Sequence, residues 1–508
     1  MIVNKQKNLM ILYGVICFML LSLLSRLLPE GMFFDGITYA AISRNKAIGL
    51  GTFWHPIYSG SFYEHPPLMF FIQSFFYKFL GDSYLVEKFY CFIICSLTVS
   101  LIVAFWRLIF SKNDLFKDAY WLPLIIWFIM PSVYWAQVIN LLDNTMTIFT
   151  LSASYLKLWS LLNKKHTYLC SFLSSALIFL AFLTKGPTAL APLFITLIFY
   201  FTYKDISLKK AFILNVVDII FFILLIGLLL CYSPARHFIS TYVHQQIINS
   251  LVGKREGTRS LLGHFQLLLD IFNQLLLALV LMGLLMFKNR GNAISYPRKA
   301  FAFCFIFALI SSLPIMLSIK QTAFYMMPSF PFYALAASIL LVPLVTNRIE
   351  NMSLSRKRFN ITLILISFIL VTGVAFSSRL VNTIGRDEYI LGDFKIFDKQ
   401  LKGMKQIYAS QKIVTDWSMI AYLQRYYGID FIQHPSDSVT LSRLQESGIA
   451  LQVQQPSDSI SILAFKNPLG RDSVIQGYKR ITGNNYVLFL PELREMKSSN
   501  RLVKQLIK

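Results

Sequence analysis

The residues of this sequence that could do chemistry are ionisable side chains at the ends of long apolar runs. Ionisable groups at membrane depth are costly, and they tend to line functional cavities. Here they occur where the chain leaves an apolar run, and each falls on the predicted outer side. We therefore predict that they converge on one functional face; they are Asp35, Glu64, His65, Asp143, Lys185, His264 and Lys320.

Each of these residues also has an ordinary structural interpretation. Asp35 could be a general base beside aromatic rings, or the N-cap of a helix that starts near Ile37. Asp143 could act in catalysis or cap a helix, and Lys185 could serve the site or extend its charge to the interface. Ordinary polar positions at the membrane interface would also explain Glu64, His65, His264 and Lys320. Taken one at a time, the residues decide nothing.

The elements that must position these residues are long apolar helices. The chain has 508 residues, of which 56% are hydrophobic and 14% charged, whereas soluble proteins carry about 25% charged residues. A helix of about 20 apolar residues crosses the hydrocarbon core, and lipid leaves few alternatives to a helix. We predict eleven spans, at 8–28, 88–110, 120–137, 141–162, 168–184, 187–203, 211–232, 267–287, 300–318, 322–342 and 359–377.

The positive charge follows the membrane topology and excludes a nucleic-acid-binding face. Of the net charge of +23, residues 378–508 carry only +6, and the rest sits mostly in short loops between apolar runs. Short basic loops stay in the cytoplasm, so the N-terminus is predicted inside and the C-terminal region outside. The first outer loop is then long, at 29–87, and we interpret 66–80 within it as a helix in the outer interface.

The composition also divides the chain into two predicted domains. Residues 1–377 form the all-α polytopic membrane domain, and residues 378–508 form a small α/β domain on the extracytoplasmic side. In the second domain, spacing of apolar and turn residues predicts helices and strands. The predicted helices are 397–409 and 419–427, and the predicted strands are 411–416 and 460–465.

Short motifs around the ionisable residues follow one another in a specific order. They are Asp-Gly-Ile-Thr-Tyr-Ala at 35–40, Tyr-Glu-His-Pro-Pro-Leu at 63–68, Leu-Asp-Asn at 142–144, Leu-Thr-Lys-Gly-Pro at 183–187, then His264, and Lys320, Tyr325 and Pro328. In this order the sequence resembles the bacterial GT-C glycosyltransferases, in particular the lipid A aminoarabinose transferases and related protein mannosyltransferases. The resemblance covers most of residues 10–345.

The resemblance implies an inverting glycosyltransferase of a bacterial inner membrane. Such an enzyme moves a sugar from a polyprenyl phosphate donor to the hydroxyl of a lipid, glycan or protein acceptor at the outer face. Asp35 would take the acceptor proton, with Asp143 as a second catalytic residue. Lys185 and Lys320 would offset the charge of the leaving phosphate. The residues assigned to substrate binding are Tyr39, His65, Lys185, Lys320 and Tyr325.

The resemblance also implies a divalent metal. Glu64 and His264 match positions that bind a metal ion in similar enzymes, and a carboxylate with an imidazole suits zinc. His65 stands where aminoarabinose transferases usually have lysine, and histidine is mostly neutral at pH 7. This difference favours the broader mannosyltransferase-like group.

Two other functions share the hydropathy of this chain. A transporter or flippase would have inverted repeats and charges near the bilayer midplane, whereas the charges noted here cluster at one interface. A polysaccharide ligase or polymerase would centre on a late outer loop with paired arginines. The loop at 233–266 does contain Arg236, Arg255 and Arg259.

Overall fold

The computed structural model describes residues 2–249, 265–288, 295–318, 321–350, 355–409, 411–433, 461–465 and 478–491. Seven helices in these ranges are long and apolar enough to cross a membrane. They are Gln6–Leu27, Tyr84–Phe110, Thr167–Lys185, Leu208–Cys231, Gln266–Phe287, Arg298–Leu317 and Arg356–Leu380. Each coincides with a predicted span, so the prediction of a polytopic helical membrane protein is confirmed.

The described helices run in chain order as follows: α1 Ile2–Leu27, α2 Phe34–Ala47, α3 Leu68–Leu80, α4 Tyr84–Phe110, α5 Trp121–Ile129, α6 Pro131–Ala136, α7 Leu142–Asn163, α8 Thr167–Lys185, α9 Ile195–Tyr203, α10 Leu208–Cys231, α11 Ser233–Tyr242, α12 Gln266–Lys288, α13 Arg298–Ser312, α14 Phe330–Glu350, α15 Arg356–Ser377, α16 Glu388–Leu401, α17 Gln411–Val414 and α18 Trp417–Tyr427. The strands are β1 Gln406–Ala409, β2 Asp430–Gln433, β3 Ser461–Phe465, β4 Tyr478–Thr482 and β5 Tyr486–Pro491.

The other four predicted spans are helical but shorter, interrupted or more polar. The span at 120–137 is divided into α5 and α6, because Pro131 starts a new helix. The span at 187–203 begins with two 3-10 turns ahead of α9, and the span at 322–342 begins with the 3-10 turn Ala323–Met326 ahead of α14. The span at 141–162 is α7, which has 22 residues and buries many polar side chains. The interface helix predicted at 66–80 is α3, whose 13 residues are too few to cross a bilayer.

Two compact units make up the chain. The first unit contains residues 1–28, 46–56 and 61–381, and the second contains residues 29–45, 57–60 and 382–508. The long loop after α1 therefore contributes residues to both units. In particular, α2 begins in the part of that loop that belongs with the C-terminal region.

The core of the first unit is built around α7 and α8. Small side chains let these helices approach closely, as is common in membranes. The Ser174 hydroxyl donates to the Ala153 carbonyl across the contact, at 3.1 Å. Met146, Ala181 and Ala189 form one fully buried apolar cluster beside it. Through this cluster the contact between the two helices reaches the second turn of α7, at Met146, and the last turns of α8, at Ala181.

The second unit contains a five-stranded mixed sheet in the order β2-β1-β3-β5-β4. Strand β1 runs parallel to β2 and β3, and β5 runs antiparallel to β3 and β4. The predicted helix at 419–427 and strand at 460–465 are confirmed as α18 and β3. The α/β class of this region is thus confirmed as well.

Two local predictions in this unit are wrong. The helix predicted at 397–409 ends at Leu401, because Gly403 takes a φ of +89° that continues no right-handed helix. The chain then forms β1. The strand predicted at 411–416 is instead the short helix α17, which ends before Asp416 caps α18.

Candidate active site

Asp143 and Lys185 form a buried ion pair in the first unit. Asp143 is the second residue of α7 and Lys185 the last residue of α8. Their side chains are 2% and 9% exposed, and the lysine Nζ donates to the Asp143 Oδ2. The α7–α8 contact therefore brings together two residues that the sequence assigned separately to one site.

Two aromatic rings lie against the Lys185 ammonium. Its Nζ is 4.1 Å from the ring centroid of Tyr325 and 5.6 Å from that of Phe324. Both rings belong to a 3-10 turn, Ala323–Met326, that precedes α14. Cation–π contacts hold an ammonium firmly where water is scarce. Tyr325, predicted to bind substrate, thus lies beside the ion pair.

The turn after Lys185 requires glycine. Gly186 ends α8 with a φ of +90°, and a Cβ at this position would lie 2.1 Å from the Tyr242 hydroxyl oxygen. That hydroxyl donates to the Lys185 carbonyl at 3.1 Å. The Lys-Gly-Pro motif therefore has a physical reason. Gly186 ends α8 and leaves room for the Tyr242 hydroxyl, which holds the backbone of Lys185 by a hydrogen bond.

Several buried polar atoms near the start of α7 lack a hydrogen-bond partner among the described residues. They are the Asp143 Oδ1, the Asn144 Oδ1 and both side-chain polar atoms of Gln137. Each orphaned buried polar atom costs about 1–3 kcal/mol. Such a concentration calls for a polar partner. A polar ligand at the ion pair would supply one.

The ordinary interpretations of Asp143 and Lys185 are wrong. Asp143 does not cap α7, because the N-cap residue is Leu141. The Lys185 side chain does not extend to the membrane interface, because it is buried and its Nζ forms an ion pair with Asp143.

Asp35 and Tyr39 lie on α2, in the second unit. The helix begins at Phe34, whose predecessor Phe33 accepts from the Gly36 and Ile37 amides at 2.9 and 3.3 Å. Asp35 is therefore a first-turn residue, half-buried, and the predicted N-cap position near Ile37 is wrong. Tyr39 is buried one turn further along.

The C-terminal region anchors the segment in front of Asp35. The Tyr422 hydroxyl accepts from the Met32 amide at 2.9 Å and lies 2.8 Å from the Asp387 Oδ2. Burial raises the pKa of Asp387, while the hydrogen bond from Tyr422 opposes the rise. The Glu30 amide also donates to the Thr383 carbonyl at 2.8 Å. The second unit therefore determines where Asp35 stands.

The remaining predicted residues are not brought to the ion pair by any described contact. Glu64 is exposed, and His65 is half-buried with its ring 6.4 Å from that of Phe62. His264 and Lys320 lie outside the described residues. Within the described part of the chain, no group of three His, Cys, Asp or Glu side chains could hold a metal ion. Glu64 alone does not make a metal site, so zinc binding stays a prediction.

Three polar features of the first unit escaped the sequence analysis. Lys157 and Asp218 form a second buried ion pair, although both lie inside apolar runs. No sequence pattern indicated the polar atoms of Gln137 that lack a partner among the described residues, or the hydrogen bond from Tyr242 to Lys185. A charge in the middle of an apolar run is a signal that could have revealed the second pair.

Solved structures that resemble this chain include two of ArnT and one of an oligosaccharyltransferase. The crystal structure of ArnT from Cupriavidus metallidurans bound to undecaprenyl phosphate has a TM-score of 0.63 and 14% identity, covering 94% of this chain and 97% of that chain. The apo state of ArnT has a TM-score of 0.62, with the same identity and coverage. The Archaeoglobus fulgidus oligosaccharyltransferase in complex with Zn and sulfate has a TM-score of 0.46 and 13% identity, covering 89% of this chain and 68% of that chain.

No protein-family model and no curated protein sequence matches this chain. The likeness to ArnT nevertheless extends over nearly the whole of both chains. At 14% identity such a likeness shows the fold. The resemblance expected from the sequence is confirmed at that level, and the chain has the GT-C fold of membrane glycosyltransferases.

Proposed function

We propose that this chain is a glycosyltransferase that moves a sugar from a polyprenyl phosphate to an acceptor hydroxyl. The observation that carries the proposal is the buried Asp143–Lys185 pair beside Tyr325, in a fold shared with ArnT, which has been crystallised bound to undecaprenyl phosphate. A buried cation at a helix end is suited to a lipid phosphate, whose tail must lie among helices.

In this proposal Lys185 stabilises the leaving phosphate. The bond between the anomeric carbon and the phosphate oxygen breaks, and its electron pair leaves with the phosphate. A fixed ammonium in a poorly solvated site offsets that charge more effectively than water does. Asp143, predicted to be catalytic, would orient Lys185 rather than touch the sugar, because its Oδ2 accepts from the ammonium. Lys320 stays assigned to the same phosphate.

Asp35 is the proposed general base. The acceptor hydroxyl loses its proton to the Asp35 carboxylate while its oxygen bonds to the anomeric carbon, and direct displacement inverts that carbon. The half-buried position of Asp35 on the first turn of α2 suits a carboxylate that must receive a proton. Tyr39 and His65 stay assigned to substrate binding.

The proposal places the reaction at the outer face of the bacterial inner membrane. It rests on the alternation of basic loops, which puts residues 378–508 outside. A reporter that is active only outside the cytoplasm, fused after Lys508, should be active. A silent fusion together with an active cytoplasmic reporter would reverse the topology. No step of the mechanism is assigned to a metal, and a zinc ion on Glu64 and His264 is tested separately by elemental analysis of wild type and His264→Ala.

The base assignment is tested by transfer from polyprenyl-phosphate sugars in membranes that contain equal amounts of each variant. Asp35→Asn keeps the size and hydrogen-bonding capacity of the side chain and removes its basicity. We expect transfer to fall by about 10²–10⁴-fold. Asp35→Glu should also fail or nearly so, because one methylene displaces the carboxylate from its attack geometry.

Binding of the donor lipid distinguishes a variant that has lost only its general base from a variant that has failed to fold. Asp35→Asn should insert in the membrane and bind the donor lipid as wild type does. The matched control is Asp398→Asn, which changes another half-buried carboxylate of the same unit and should retain transfer. An active Asp35→Asn enzyme would contradict the assignment of the base.

A further inference from the structure

A cavity lies in the first unit, at the opposite end of α7 from Asp143. Its volume is about 650 Å³, and α4, α7 and Tyr203 at the end of α9 line it. Trp159 on α7 lies 16 residues after Asp143, which is about 24 Å along the helix axis. The ends of α4 and α7 are packed together there, since the rings of Phe105 and Tyr155 are 5.6 Å apart. The cavity is therefore separate from the proposed active site.

The lining of this cavity combines basic and aromatic side chains. Arg107 and Lys112 are its two cations, and this lining, which consists of described residues, contains no carboxylate. The Arg107 guanidinium is held 4.9 Å over the ring of Tyr120. Tyr155 and Trp159 form the aromatic wall. Aromatic rings next to basic residues are typical of the depth at which lipid headgroups lie.

Helix ends that meet at this cavity carry partial negative charge, which would oppose an anion. Arg107, and Lys299 from outside the cavity lining, offset part of that charge at the ends of α4 and α9. Arg107 lies in the last turn of α4, and the Lys299 ammonium donates to the Tyr203 carbonyl at the end of α9, at 2.9 Å. The partial negative charge of the helix ends is thus partly neutralised, and the positive charge of Lys112 then favours an anion in the cavity.

The part of the cavity that lies along α4 is suited to an acyl chain. It is lined by Ser100, Val103 and Ala104, which precede Arg107 on α4 by one to two helical turns. Their small side chains leave room for an acyl chain along this part of α4. The Ser100 hydroxyl already donates to the Ser96 carbonyl, at 2.9 Å, so it presents little polarity. A free phosphate ion would make no use of this part.

We infer that this cavity binds an anionic glycerophospholipid, with its phosphate on Arg107 and Lys112 and one acyl chain along α4. Pockets of basic residues between membrane helices bind lipid headgroups in this way. The inference is independent of the sugar-transfer proposal, because it concerns the other end of the bundle.

The test uses the full chain purified in detergent, with bound lipid counted by native mass spectrometry. Dioleoyl phosphatidylglycerol should bind more tightly than dioleoyl phosphatidylcholine. In Arg107→Gln/Lys112→Gln the affinity for phosphatidylglycerol should fall by about ten- to thirtyfold, since each cation near a charged headgroup contributes about fivefold and the two losses multiply. Val103→Trp should reduce binding of the lipid by filling the part of the cavity along α4 that would hold the acyl chain.

Lys209→Gln/Lys210→Gln is the matched control. It makes the same change of charge at exposed residues of α10, and it should retain the preference. Three results would overturn the inference: an unchanged preference in Arg107→Gln/Lys112→Gln, an equal loss in the control, or displacement of the lipid by inorganic phosphate at equal concentration. Stronger binding of undecaprenyl phosphate, lost in the same variant, would assign the cavity to the donor lipid instead.

Discussion

Helix α7 carries a buried ion pair near each end, and the two pairs differ in how fully their polar atoms are satisfied. At one end, Asp143 is bonded to Lys185 through one oxygen only, and its Oδ1 has no partner among the described residues. At the other end, the Lys157 Nζ is 2.6 Å from each carboxylate oxygen of Asp218 and 2.5 Å from the Ser171 hydroxyl. The second pair is saturated, and the first is not.

This difference in hydrogen bonding indicates a structural role for the Lys157–Asp218 pair and a functional role for the Lys185–Asp143 pair. A fully hydrogen-bonded buried network fixes helix positions and gains nothing from a ligand. The Ser175 hydroxyl adds to the second network by donating to the Asp218 carbonyl, at 3.0 Å. An orphaned carboxylate oxygen beside a cation and two aromatic rings is costly until a polar ligand arrives. We therefore expect the Lys157 pair to govern stability and the Lys185 pair to govern transfer.

The largest expected effect is on stability, from Lys157→Met. The substitution leaves the Asp218 carboxylate buried without its cation, which typically costs about 3–5 kcal/mol. Thermal unfolding of the detergent-solubilised protein should show a large drop in Tm, and the yield of folded protein should fall.

Lys209→Met is the control for loss of a lysine, because Lys209 is exposed in the first turn of α10. Its Tm should match that of wild type. A Lys157→Met protein that is as stable as wild type, with unchanged transfer, would show that the saturated pair contributes nothing measurable.

The next effect is on catalysis, from Lys185→Met. Loss of one group that stabilises developing charge costs about 2.7–4 kcal/mol of transition-state stabilisation, so transfer should fall by about 10²–10³-fold. Lys185→Met also leaves a buried carboxylate, Asp143, without its cation, so its stability should fall as well, and the comparison of rates uses folded protein only. Initial rates of lipid-phosphate release at equal protein give the measurement. Near-normal rates would remove Lys185 from the reaction.

Replacing both members of each pair sharpens the comparison. Lys157→Met/Asp218→Leu removes the buried charge altogether and should recover most of the stability lost in the single variant, with transfer retained. Lys185→Met/Asp143→Leu should fold but remain inactive. The measurements are Tm and transfer rate on the same four preparations. Restored transfer in the second double variant would mean that the two pairs play the same structural role.

The sequence predicted the membrane fold well because apolar length is a local property. Every predicted span coincides with an α-helix, with two α-helices that meet at Pro131, or with 3-10 turns followed by an α-helix. The C-terminal region was less predictable, since Gly403 ended a helix that apolar spacing would have continued. The spacing of apolar residues alone does not reveal that one residue adopts a positive φ.

The candidate site was predicted as a set of residues but not as contacts. Asp143 and Lys185 are 42 residues apart, and no local pattern predicts that they pair. Tyr422 anchors Met32 from 390 residues away, so the role of the C-terminal region in holding α2 was not visible. Lys157 was missed because the partner that explains it lies on another helix.

The smallest expected effect separates the ring of Tyr325 from its hydroxyl. The ring face is in contact with the Lys185 ammonium, and Phe at this position would keep that contact. A hydroxyl that donates to the leaving phosphate would be lost, at about 1.5 kcal/mol for a hydrogen bond to a charged group. Tyr325→Phe should therefore reduce transfer by roughly tenfold without lowering the Tm, whereas Tyr325→Leu should reduce transfer further because it also removes the cation–π contact. The assay is single-turnover transfer with saturating donor, which reports the chemical step apart from donor binding. Full activity in Tyr325→Phe with a defect in Tyr325→Leu would confine Tyr325 to holding Lys185, and the phosphate would then depend on the lysine charge alone.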